Sequence, residues 1–407
     1  MDRTKGLPRV LGAVGIGALV IALLWWLVAV PALVKYPTDV NASPRYDGTF
    51  TVYVDPATFA PLTTPTQLPL TVERHIQANS EQSGSTTVVV DETISQHAGD
   101  LVNTTQHNVY VMDRSTVANV ADARAYAFDP SNVVDRSGAY RVNLPFDTNP
   151  TGSYSVYKNE IAATYQMSGD GTTKDESGLS LQNYSASVTE APLSAAYLAE
   201  LNKSVPLPSS MTLDQLKPQL KTIGVDVDAL VAAMSPYLTP EDSATLLQIA
   251  GKPIPMQYVL SFEGHAGVDT VTGAEVDVTD AETIGAKPQM ADLPTLQAML
   301  AKYTNVPEAA SAATALATLS TAPATKLFGY TFAQTPDSVA DIAGQVKSNR
   351  TQVLLATRYV PLGLVVLGVL GFAVGGFIVW HRHGEGPRTG PEAPALEQIP
   401  EPTKVSH

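Results

Sequence analysis

Two long apolar runs without a charged residue, one near each end, constrain this 407-residue chain more than any other feature. The first run covers residues 10–34 and the second covers residues 359–380. At about 1.5 Å of rise per residue, a helix over either run can cross a hydrocarbon layer of about 30 Å. Because unpaired peptide groups are costly in lipid, such runs cross it as helices. We therefore predict transmembrane helices over 10–34 and 359–380.

The first run has a second interpretation, a cleaved signal peptide, because basic residues precede it. The apolar part of a signal peptide is only about 7–15 residues long, which is shorter than this run. The one candidate cleavage site, Ala29-Val30-Pro31-Ala32, contains a proline. We therefore predict an uncleaved signal anchor and a two-pass protein. A cleaved signal peptide would leave a one-pass protein held by the second helix.

Basic residues at the flanks predict the orientation. They occur in residues 1–9 and at 381–383. Short cytoplasmic flanks carry an excess of Lys and Arg, so both ends are expected in the cytoplasm. Lys35, Arg350 and Arg358 lie at the opposite flanks of the two runs and reduce the difference in basic residues between the two sides of the membrane. The prediction is a cell-membrane protein with residues 35–358 exported as an ectodomain.

The charge of this predicted ectodomain limits its partners. Residues 35–358 contain 19 basic and 34 acidic side chains, a net charge of −15. Such a surface repels nucleic acid, so we expect no nucleic-acid partner. The chain has no cysteine. A eukaryotic ectodomain of this size usually carries disulfides, so a bacterial cell envelope is favoured and thiolate chemistry is excluded.

The ectodomain alternates between strand-rich and helix-rich stretches. Residues 45–190 hold β-branched and aromatic runs between turn residues, which is typical of antiparallel barrels and sandwiches. Residues 192–250 predict a helical insertion, 255–285 predict strands, and 290–358 predict further helices. The predicted class is α+β, a β-rich antiparallel barrel or sandwich with helical insertions, flanked by two transmembrane helices. The clearest predicted strands are 49–54, 70–72, 86–90, 109–111 and 139–142.

Local signals predict where some elements begin. Thr239 followed by Pro240 is typical of a helix N-terminus, and Thr335 before Pro336 predicts a stalk helix that continues into the second span. Thr272-Gly273 is a hairpin-turn signal. The tails, residues 1–9 and 381–407, are predicted to be cytoplasmic. The C-terminal tail is rich in Pro and Glu and is predicted to be disordered.

The sequence contains no recognisable catalytic or metal motif. HExxH, the nucleophile elbow, the P-loop and the dinucleotide fingerprint are all missing. Two oxygen-rich segments, 170–176 and 277–280, do not have EF-hand spacing, so solvated turns are favoured over weak calcium sites. Asp55, Asp113 and Asp135 are interpreted as turn-forming or paired structural carboxylates. The four histidines of the predicted ectodomain are interpreted as isolated, although His97 and His107 could face each other across a hairpin; the other two are His75 and His265. We therefore predict no enzyme, no cofactor, no metal site and no catalytic residue.

Six short segments resemble the actinobacterial envelope family known as porin PorA. The resemblance covers nearly the whole chain and implies the two-span plan, with no catalytic residues to carry over. A β-barrel porin crosses the lipid with many strands, whereas this chain is predicted to cross it with two helices. The layout is also similar to class B scavenger receptors, which carry lipids through a tunnel. The segments are Lys35–Pro37, Tyr46–Thr49, Tyr53–Pro56, Val109–Arg114, Val134–Tyr140 and Leu144–Phe146.

Three functions follow as alternatives. The first is a non-enzymatic envelope protein that binds or passes a lipid or another hydrophobic ligand, and it predicts a continuous apolar cavity within residues 45–330. The second is a subunit of an oligomeric channel. The third is a structural or assembly module of the envelope with a filled core. The expected partners are membrane lipids, a hydrophobic ligand, and a further copy or another envelope protein. A hydrolase of envelope material would need converging Asp, His or Ser side chains in a cleft.

Overall fold

The structure, a computed structural model, describes residues 7–55, 58–222, 224–319 and 322–384. Residues 1–6 and 385–407, on which the predictions for both tails mainly fall, lie outside the described residues. The chain divides into two units. The terminal helices, up to Val34 and from Leu354 onward, form the first, and Lys35–Val353 form the second, which we call the β-rich unit.

The described residues form ten α-helices, two π-helical turns and fourteen strands. The helices are α1 (Leu7–Leu24), α2 (Val30–Leu33), α3 (Ala195–Leu201), α4 (Leu213–Thr222), α5 (Val227–Met234), α6 (Pro240–Ala250), α7 (Leu293–Leu300), α8 (Pro307–Leu319), α9 (Pro336–Leu354) and α10 (Val360–Gly384). The strands are β1 (Asn41–Ala42), β2 (Arg45–Val54), β3 (Pro61–Asn79), β4 (Thr87–Ala98), β5 (Val102–Asp113), β6 (Tyr126–Ala127), β7 (Asp129–Val133), β8 (Ser153–Lys158), β9 (Ala163–Glu176), β10 (Leu179–Pro192), β11 (Ser210–Met211), β12 (Ile254–Asp269), β13 (Ala274–Pro288) and β14 (Thr325–Gln334). The π-helical turns are Trp25–Ala29 and Leu355–Tyr359.

The terminal unit contains two helices long and apolar enough to cross a membrane, which confirms that part of the prediction. A π-helical turn interrupts each of them shortly before a proline, Pro31 or Pro361. Proline has no N–H and its ring clashes with the carbonyl four residues earlier, so it loosens the preceding turn. The indole Nε1 of Trp25 donates a hydrogen bond to the Ala356 carbonyl at 2.9 Å. The two interrupted turns are therefore joined directly.

Glycines set the separation of α1 and α10. A Cβ atom added at Gly15 would lie 2.9 Å from the carbonyl oxygen of Gly368. A Cβ added at Gly368 would lie 2.8 Å from the Leu19 side chain. Small residues allow helix backbones to approach closely where lipid provides no hydrophobic driving force. The close approach of α1 and α10 therefore requires glycine at both positions.

The β-rich unit is built on one antiparallel sheet that curls into a half-barrel. The sheet confirms the predicted α+β class. Its strand order is β7-β6-β5-β4-β3-β2-β14-β13-β12-β10-β9-β8, with β1 added beside β3 and β11 beside β12. Because side chains alternate between the two faces of a strand, one face of the sheet can bury a continuous core. The largest core cluster draws on eleven strands of the sheet and includes Phe50, Leu70, Leu260, Ile284 and Leu327.

The helices between the strands have a core of their own. Leu216 and Leu220 of α4 pack with Met234 of α5 and Leu300 of α7 in a second buried cluster. The predicted N-cap of α6 is confirmed, because the side chain of Thr239 accepts a hydrogen bond from the Asp242 N–H and Pro240 is the first helical residue.

Helix α9 packs on the sheet within the β-rich unit. Val339, Ala343 and Val346 lie against Leu181 and Val276. The predicted cap is confirmed, since the Ser338 N–H donates to the Thr335 hydroxyl. Helical structure follows from Pro336 through the second π-helical turn to Gly384, as predicted for the stalk.

Some local predictions were wrong. Residues 325–334, within the stretch 290–358 that was predicted to be helical, form strand β14, whose aromatic and apolar residues pair with β2 and β13. Residues 139–142 do not form a strand. They follow Gly138, whose φ is +77°, and only Tyr140 forms an isolated bridge, with Val156. The oxygen-rich segments also differ from the prediction, because 170–176 belongs to β9 and 277–280 belongs to β13. Residues 173–176 and 277–280 are paired with neighbouring strands, which satisfies their backbone groups, whereas residues 170–172 form a bulge in β9.

Candidate functional site

The half-barrel encloses charged side chains among its apolar core residues. Arg74 on β3 pairs with Glu92 on β4, Nε to Oε1 at 2.6 Å, and the Glu92 side chain is fully buried. The Tyr110 hydroxyl and the Asn108 amide donate to the second oxygen of Glu92, at 2.7 and 3.0 Å. Burial opposes ionisation of Glu92, but the charges of Arg74 and Arg141 and these hydrogen bonds lower its pKa to about 2. The pair is therefore ionised at neutral pH.

A lysine occupies the other side of the same interior. Lys158 at the end of β8 donates to Glu282 on β13 at 2.7 Å and lies 3.7 Å from Glu160. Its ammonium also lies 4.3 Å from the centre of the Phe262 ring. Burial favours the neutral amine, but the charges of Glu160 and Glu282 outweigh burial and raise the pKa of Lys158 above its usual value. Buried charges remain in a protein core only when they are paired in this way.

Arg136 closes the gap between the two ends of the sheet. Its guanidinium donates to the Val109 carbonyl on β5 and the Tyr126 carbonyl on β6, at 3.0 and 2.9 Å. It also donates to Asn159, just after β8, at 2.9 and 3.1 Å. Because β6 and β8 belong to opposite ends of the strand order, one side chain joins both. Arg136 is a structural clasp rather than a ligand-facing residue.

A cavity of about 100 Å³ lies among these groups. Three cationic side chains line it, Arg74, Arg141 and Lys158, together with acidic ones. A water needs only about 10–15 Å³ of such space, so several waters or one small polar molecule would fit. Lipid and drug-sized ligands occupy about 300–1,000 Å³. The acidic lining residues are Glu160, Glu275, Asp280 and Glu282.

Two of these acids are perturbed by burial. Burial raises the pKa of Asp280 to about 7, although the charge of Lys158 opposes it. Burial also raises the pKa of Glu275, with Arg74 and Arg141 acting in the opposite direction. Strongly perturbed carboxylates in a cavity are typical of functional sites as well as of buried ion networks. At neutral pH both acids therefore bind protons more readily than surface carboxylates do.

The cavity does not match the predicted continuous apolar cavity. Among the described residues, the interior between the strands is filled by the main core cluster and by this small charged space. The sequence interpretation missed it because each charged residue stands alone in an alternating strand, where solvent exposure is the usual outcome. Within 45–190, neighbouring charges on paired strands, such as Arg74 and Glu92, were the signal that could have revealed the cluster.

A second concave site is an open groove of about 790 Å³. It lies between the β2–β3 connection and the start of the helical insertion, and its lining is mostly apolar. Phe59 lines it with a φ of +56°, which is a strained conformation for a bulky residue. Asp214 is its one charged lining residue among those described. The lining residues are Thr58, Phe59, Asn202, Pro206, Leu207, Pro208, Asp214, Gln215 and Pro218.

A proline inside helix α4 contributes to this groove. Pro218 is the sixth residue of α4, beyond the first turn where proline is readily accommodated. A proline in a helix interior costs about 3 kcal/mol relative to alanine. Together with Pro206 and Pro208 it gives the groove an apolar wall with few rotatable bonds.

The predicted turn carboxylates are confirmed. The Asp55 carboxylate accepts hydrogen bonds from the Thr58 N–H and hydroxyl, and Asp135 accepts from Ser137 in the same manner. The Asp113 carboxylate accepts from the Ser115 N–H and from both the N–H and hydroxyl of Thr116.

The histidines are not brought together. His97 pairs with Asn103 and His107 pairs with Thr93 across β4 and β5, so they do not face each other. Among the described residues, no group of three or more His, Asp or Glu side chains could hold a metal ion. His265 lines the edge of the charged cavity.

The segments that carry the family resemblance have structural roles. Arg114 donates to the Tyr36 carbonyl at 2.8 Å, so the segment after the first helix is tied to β5. At Gly48, an added Cβ would lie 1.9 Å from the Thr331 carbonyl oxygen, so only glycine fits between β2 and β14. Gly273, in the β12–β13 turn, packs closely against the backbone of Leu144, and the Leu144 N–H donates to the Gly273 carbonyl at 2.9 Å.

These contacts are spread along the chain. A family model described as Porin PorA matches residues 7–377. The chain belongs to this family. No curated protein matches the chain significantly. The PorA member described here therefore combines two apolar terminal helices with a curled antiparallel sheet, a charged internal cavity and an open apolar groove.

Proposed function

We propose that this PorA protein is a non-enzymatic, membrane-anchored protein of the cell envelope that binds a lipid or another hydrophobic ligand in its apolar groove. In this proposal both termini are cytoplasmic, the first helix is an uncleaved anchor, and the β-rich unit is exported. The groove carries the proposal, because about 790 Å³ is within the range of sites for small organic ligands. Five apolar side chains on its wall would contact the ligand, namely Phe59, Pro206, Leu207, Pro208 and Pro218.

The groove replaces the barrel interior as the proposed ligand site. The interior cavity is too small and too highly charged for an acyl chain. Transfer of apolar surface from water into a groove gains about 25 cal/mol per Å². An extended hydrocarbon segment lying along the groove would gain affinity in this way without any conformational change in the sheet.

Substitution of Pro218 by Glu tests this proposal. The change places a charge in the groove and removes a proline from a helix interior, so helix α4 is expected to become more stable. Ala232 on α5 is exposed and does not line the groove, so A232E is the matched control. Detergent-extracted full-length protein is analysed by mass spectrometry for co-purified lipid. We expect lipid with wild type and A232E, and at least tenfold less with P218E. Equal amounts in all three, or none in any, would refute a groove ligand.

The family name favours a second candidate, a channel subunit. Two apolar helices per chain could form a pore only in an oligomer, and the spans at 10–34 and 359–380 contain no charge. This candidate predicts a ring of copies and stepwise conductance in planar bilayers. A monomer that gives no current would remove it, and such a result leaves the groove proposal standing.

Exposure of the β-rich unit is tested separately. Protease added to spheroplasts is expected to cleave within residues 35–353 and to leave both tails intact. Cleavage restricted to the tails would reverse the proposed orientation.

A further inference from the structure

Two arginine N–H groups in the wall of the charged cavity have no hydrogen-bond acceptor. They are Nη2 of Arg74 and Nε of Arg141, and both atoms are buried from solvent. A buried donor without a partner costs about 1–3 kcal/mol, and more for a charged group. Such donors in native proteins require an explanation, and a bound ion or water is one.

Arg141 is the less satisfied of the two. Arg74 donates through Nε to Glu92. By contrast, within the part of the chain that the structure describes, Arg141 has neither a hydrogen bond nor an ion pair within 4 Å. The other cation of the cavity, Lys158, is already paired with Glu160 and Glu282. The charge of Arg141 acts on Glu92 and Glu160 without direct contact, and its buried Nε donor remains unpaired and can donate to a ligand.

The cavity also contains an acceptor without a donor. Oε2 of Glu160 is buried and has no hydrogen bond. The Lys158 ammonium lies 3.7 Å from it, too far for a hydrogen bond. A ligand that satisfies all three atoms must accept from two guanidinium groups and donate to a carboxylate.

We infer that the cavity binds a small oxyanion that carries a proton, of the class of dihydrogen phosphate, between Arg74, Arg141 and Glu160. Planar guanidinium groups recognise phosphate oxygens through fixed pairs of N–H donors. The phosphate O–H donates to Glu160. Sulfate has no proton at neutral pH and leaves Glu160 facing an anion, so the site selects phosphate over sulfate. The volume of about 100 Å³ admits the free anion.

An entry route is provided by an open depression that shares its wall with the cavity. Asp280, His265 and Phe332 line both spaces. Gly264 leaves room for Asp280, because an added Cβ would lie 2.7 Å from the Asp280 carboxylate. Asp280 therefore stands between solvent and the cavity.

Protonation of Asp280 removes a negative charge beside the bound anion, and phosphate itself loses its second proton near neutral pH, so affinity for the dihydrogen anion is expected to fall as pH rises. Burial and the neighbouring acids Glu275 and Glu282 disfavour its ionised form, whereas Lys158 and Arg141 favour it. The remaining charged or titratable side chains that line the cavity or the depression, among the described residues, are Tyr46, Asp47, Arg74, Glu160, Tyr165, Tyr197, Glu263 and His265.

Calorimetric titration of the full-length protein in detergent tests the site. Inorganic phosphate and sodium sulfate are titrated at equal ionic strength, in bis-tris chloride at pH 6 and in Tris chloride at pH 8. We expect saturable phosphate binding at pH 6 that weakens severalfold at pH 8, and at least tenfold weaker sulfate binding. R141Q should raise the phosphate Kd at least tenfold, and R124Q, which changes an exposed arginine outside the cavity, should leave it unchanged.

A second variant, E160Q, tests the site even if R141Q does not fold. E160Q removes the charge that rejects sulfate, so it should narrow the preference for phosphate while retaining binding. No heat of binding in wild type overturns the inference. Equal affinities for both anions in wild type, or unchanged selectivity in E160Q, also overturn it. Because this cavity is separate from the groove, P218E should leave phosphate binding unchanged.

Discussion

The Nε atom of Arg74 lies 2.6 Å from Oε1 of Glu92, across two neighbouring strands in the interior of the sheet. The pair continues through Tyr110 and Asn159 to Arg136, because the Asn159 amide donates to the Tyr110 hydroxyl at 2.8 Å. The internal charge pair and the clasp that closes the sheet therefore belong to one hydrogen-bonded network. Interactions in such networks are not additive.

Replacing Arg74 alone is expected to destabilise the β-rich unit. R74M leaves the Glu92 charge buried without its cation, which typically costs about 3–5 kcal/mol. The double variant R74M/E92M should recover most of this loss, because replacing both members of a buried pair by apolar groups is often close to neutral. Urea unfolding of the full chain, followed by far-UV circular dichroism, measures the change.

The control for this prediction is an exposed pair. Arg124 and Asp122 are 2.7 Å apart with side chains 40% and 24% exposed. R124M should cost at most about 1 kcal/mol, since exposed ion pairs contribute little. Equal losses in R74M and R124M would contradict the role assigned to burial. Tryptophan fluorescence is unsuitable here, because all three tryptophans, Trp25, Trp26 and Trp380, lie in the terminal helices.

Asp280 predicts how stability changes with pH. Its pKa is about 7 in the folded protein and 3.8 as an ordinary aspartate. Between these values the folded state holds a proton that the unfolded state lacks, so stability falls as pH rises and levels off above pH 7. From pH 5 to pH 8 the loss is at most about 3 kcal/mol, at about 1.4 kcal/mol per unit. Glu92, with a lowered pKa, acts only at lower pH, where its contribution is lost as pH falls from about 4.5 toward 2.

D280N should flatten most of this slope, and it should make the protein more stable at pH 8. A smaller slope should persist because burial also raises the pKa of Glu275. D100N, at an exposed turn, should retain the wild-type profile. The melting temperature is measured between pH 5 and pH 8 for each protein. If it falls with pH as steeply in D280N as in wild type, Asp280 is not the group responsible for the pH dependence.

Arg136 is expected to tolerate no conservative replacement. Lysine has no planar fork and cannot reach Asn159, Val109 and Tyr126 together. R136K should therefore cost roughly 2–4 kcal/mol by leaving buried acceptors without donors. It should also increase hydrogen exchange in β6 and β8, whereas R45K, at an exposed position, should change neither quantity. Unchanged exchange in β8 with R136K would argue against the clasp.

The sequence predicted the large-scale plan because that plan depends on local signals. Uncharged runs, β-branched strands, the Thr239 cap and the Thr272-Gly273 turn each report on their own neighbourhood, and the structure agrees with them except at the strand predicted over 139–142. The charged cavity depends on residues from distant strands. Lys158 and Glu282 are 124 positions apart, and no local pattern shows that they meet.

The same reasoning explains the misplaced strand at 139–142. Its apolar and aromatic residues are typical of strands, but the segment serves to close the sheet, with the Tyr140 N–H bonded to the Ser155 carbonyl and the Tyr157 N–H bonded to the Tyr140 carbonyl. Closure of a sheet is a tertiary requirement, and local β-propensity does not report it. The apolar groove is similarly formed by segments far apart in sequence.

Gly15 and Gly368 give a prediction for the terminal helices. A leucine at either position would place atoms where the other helix already lies, since an added Cβ at Gly15 is 2.9 Å from the Gly368 carbonyl oxygen. Overpacking of this kind costs about 1–3 kcal/mol. G15L and G368L should separate α1 from α10 and weaken the hydrogen bond from Trp25 to Ala356. A shifted emission maximum and a lower thermal transition, both read by tryptophan fluorescence in detergent, are the expected results.

Matched controls exist on the same helices. A Cβ added at Gly17 or Gly376 meets nothing within 4 Å, so G17L and G376L add the same side chain to the same helices without a clash. They should preserve the wild-type emission and transition. If all four variants behave alike, hydrophobicity rather than close packing governs the helix pair, because the four substitutions differ only in whether the opposite helix is in contact. A lower transition temperature in G15L and G368L alone would establish that glycine at these two positions allows α1 and α10 to pack together.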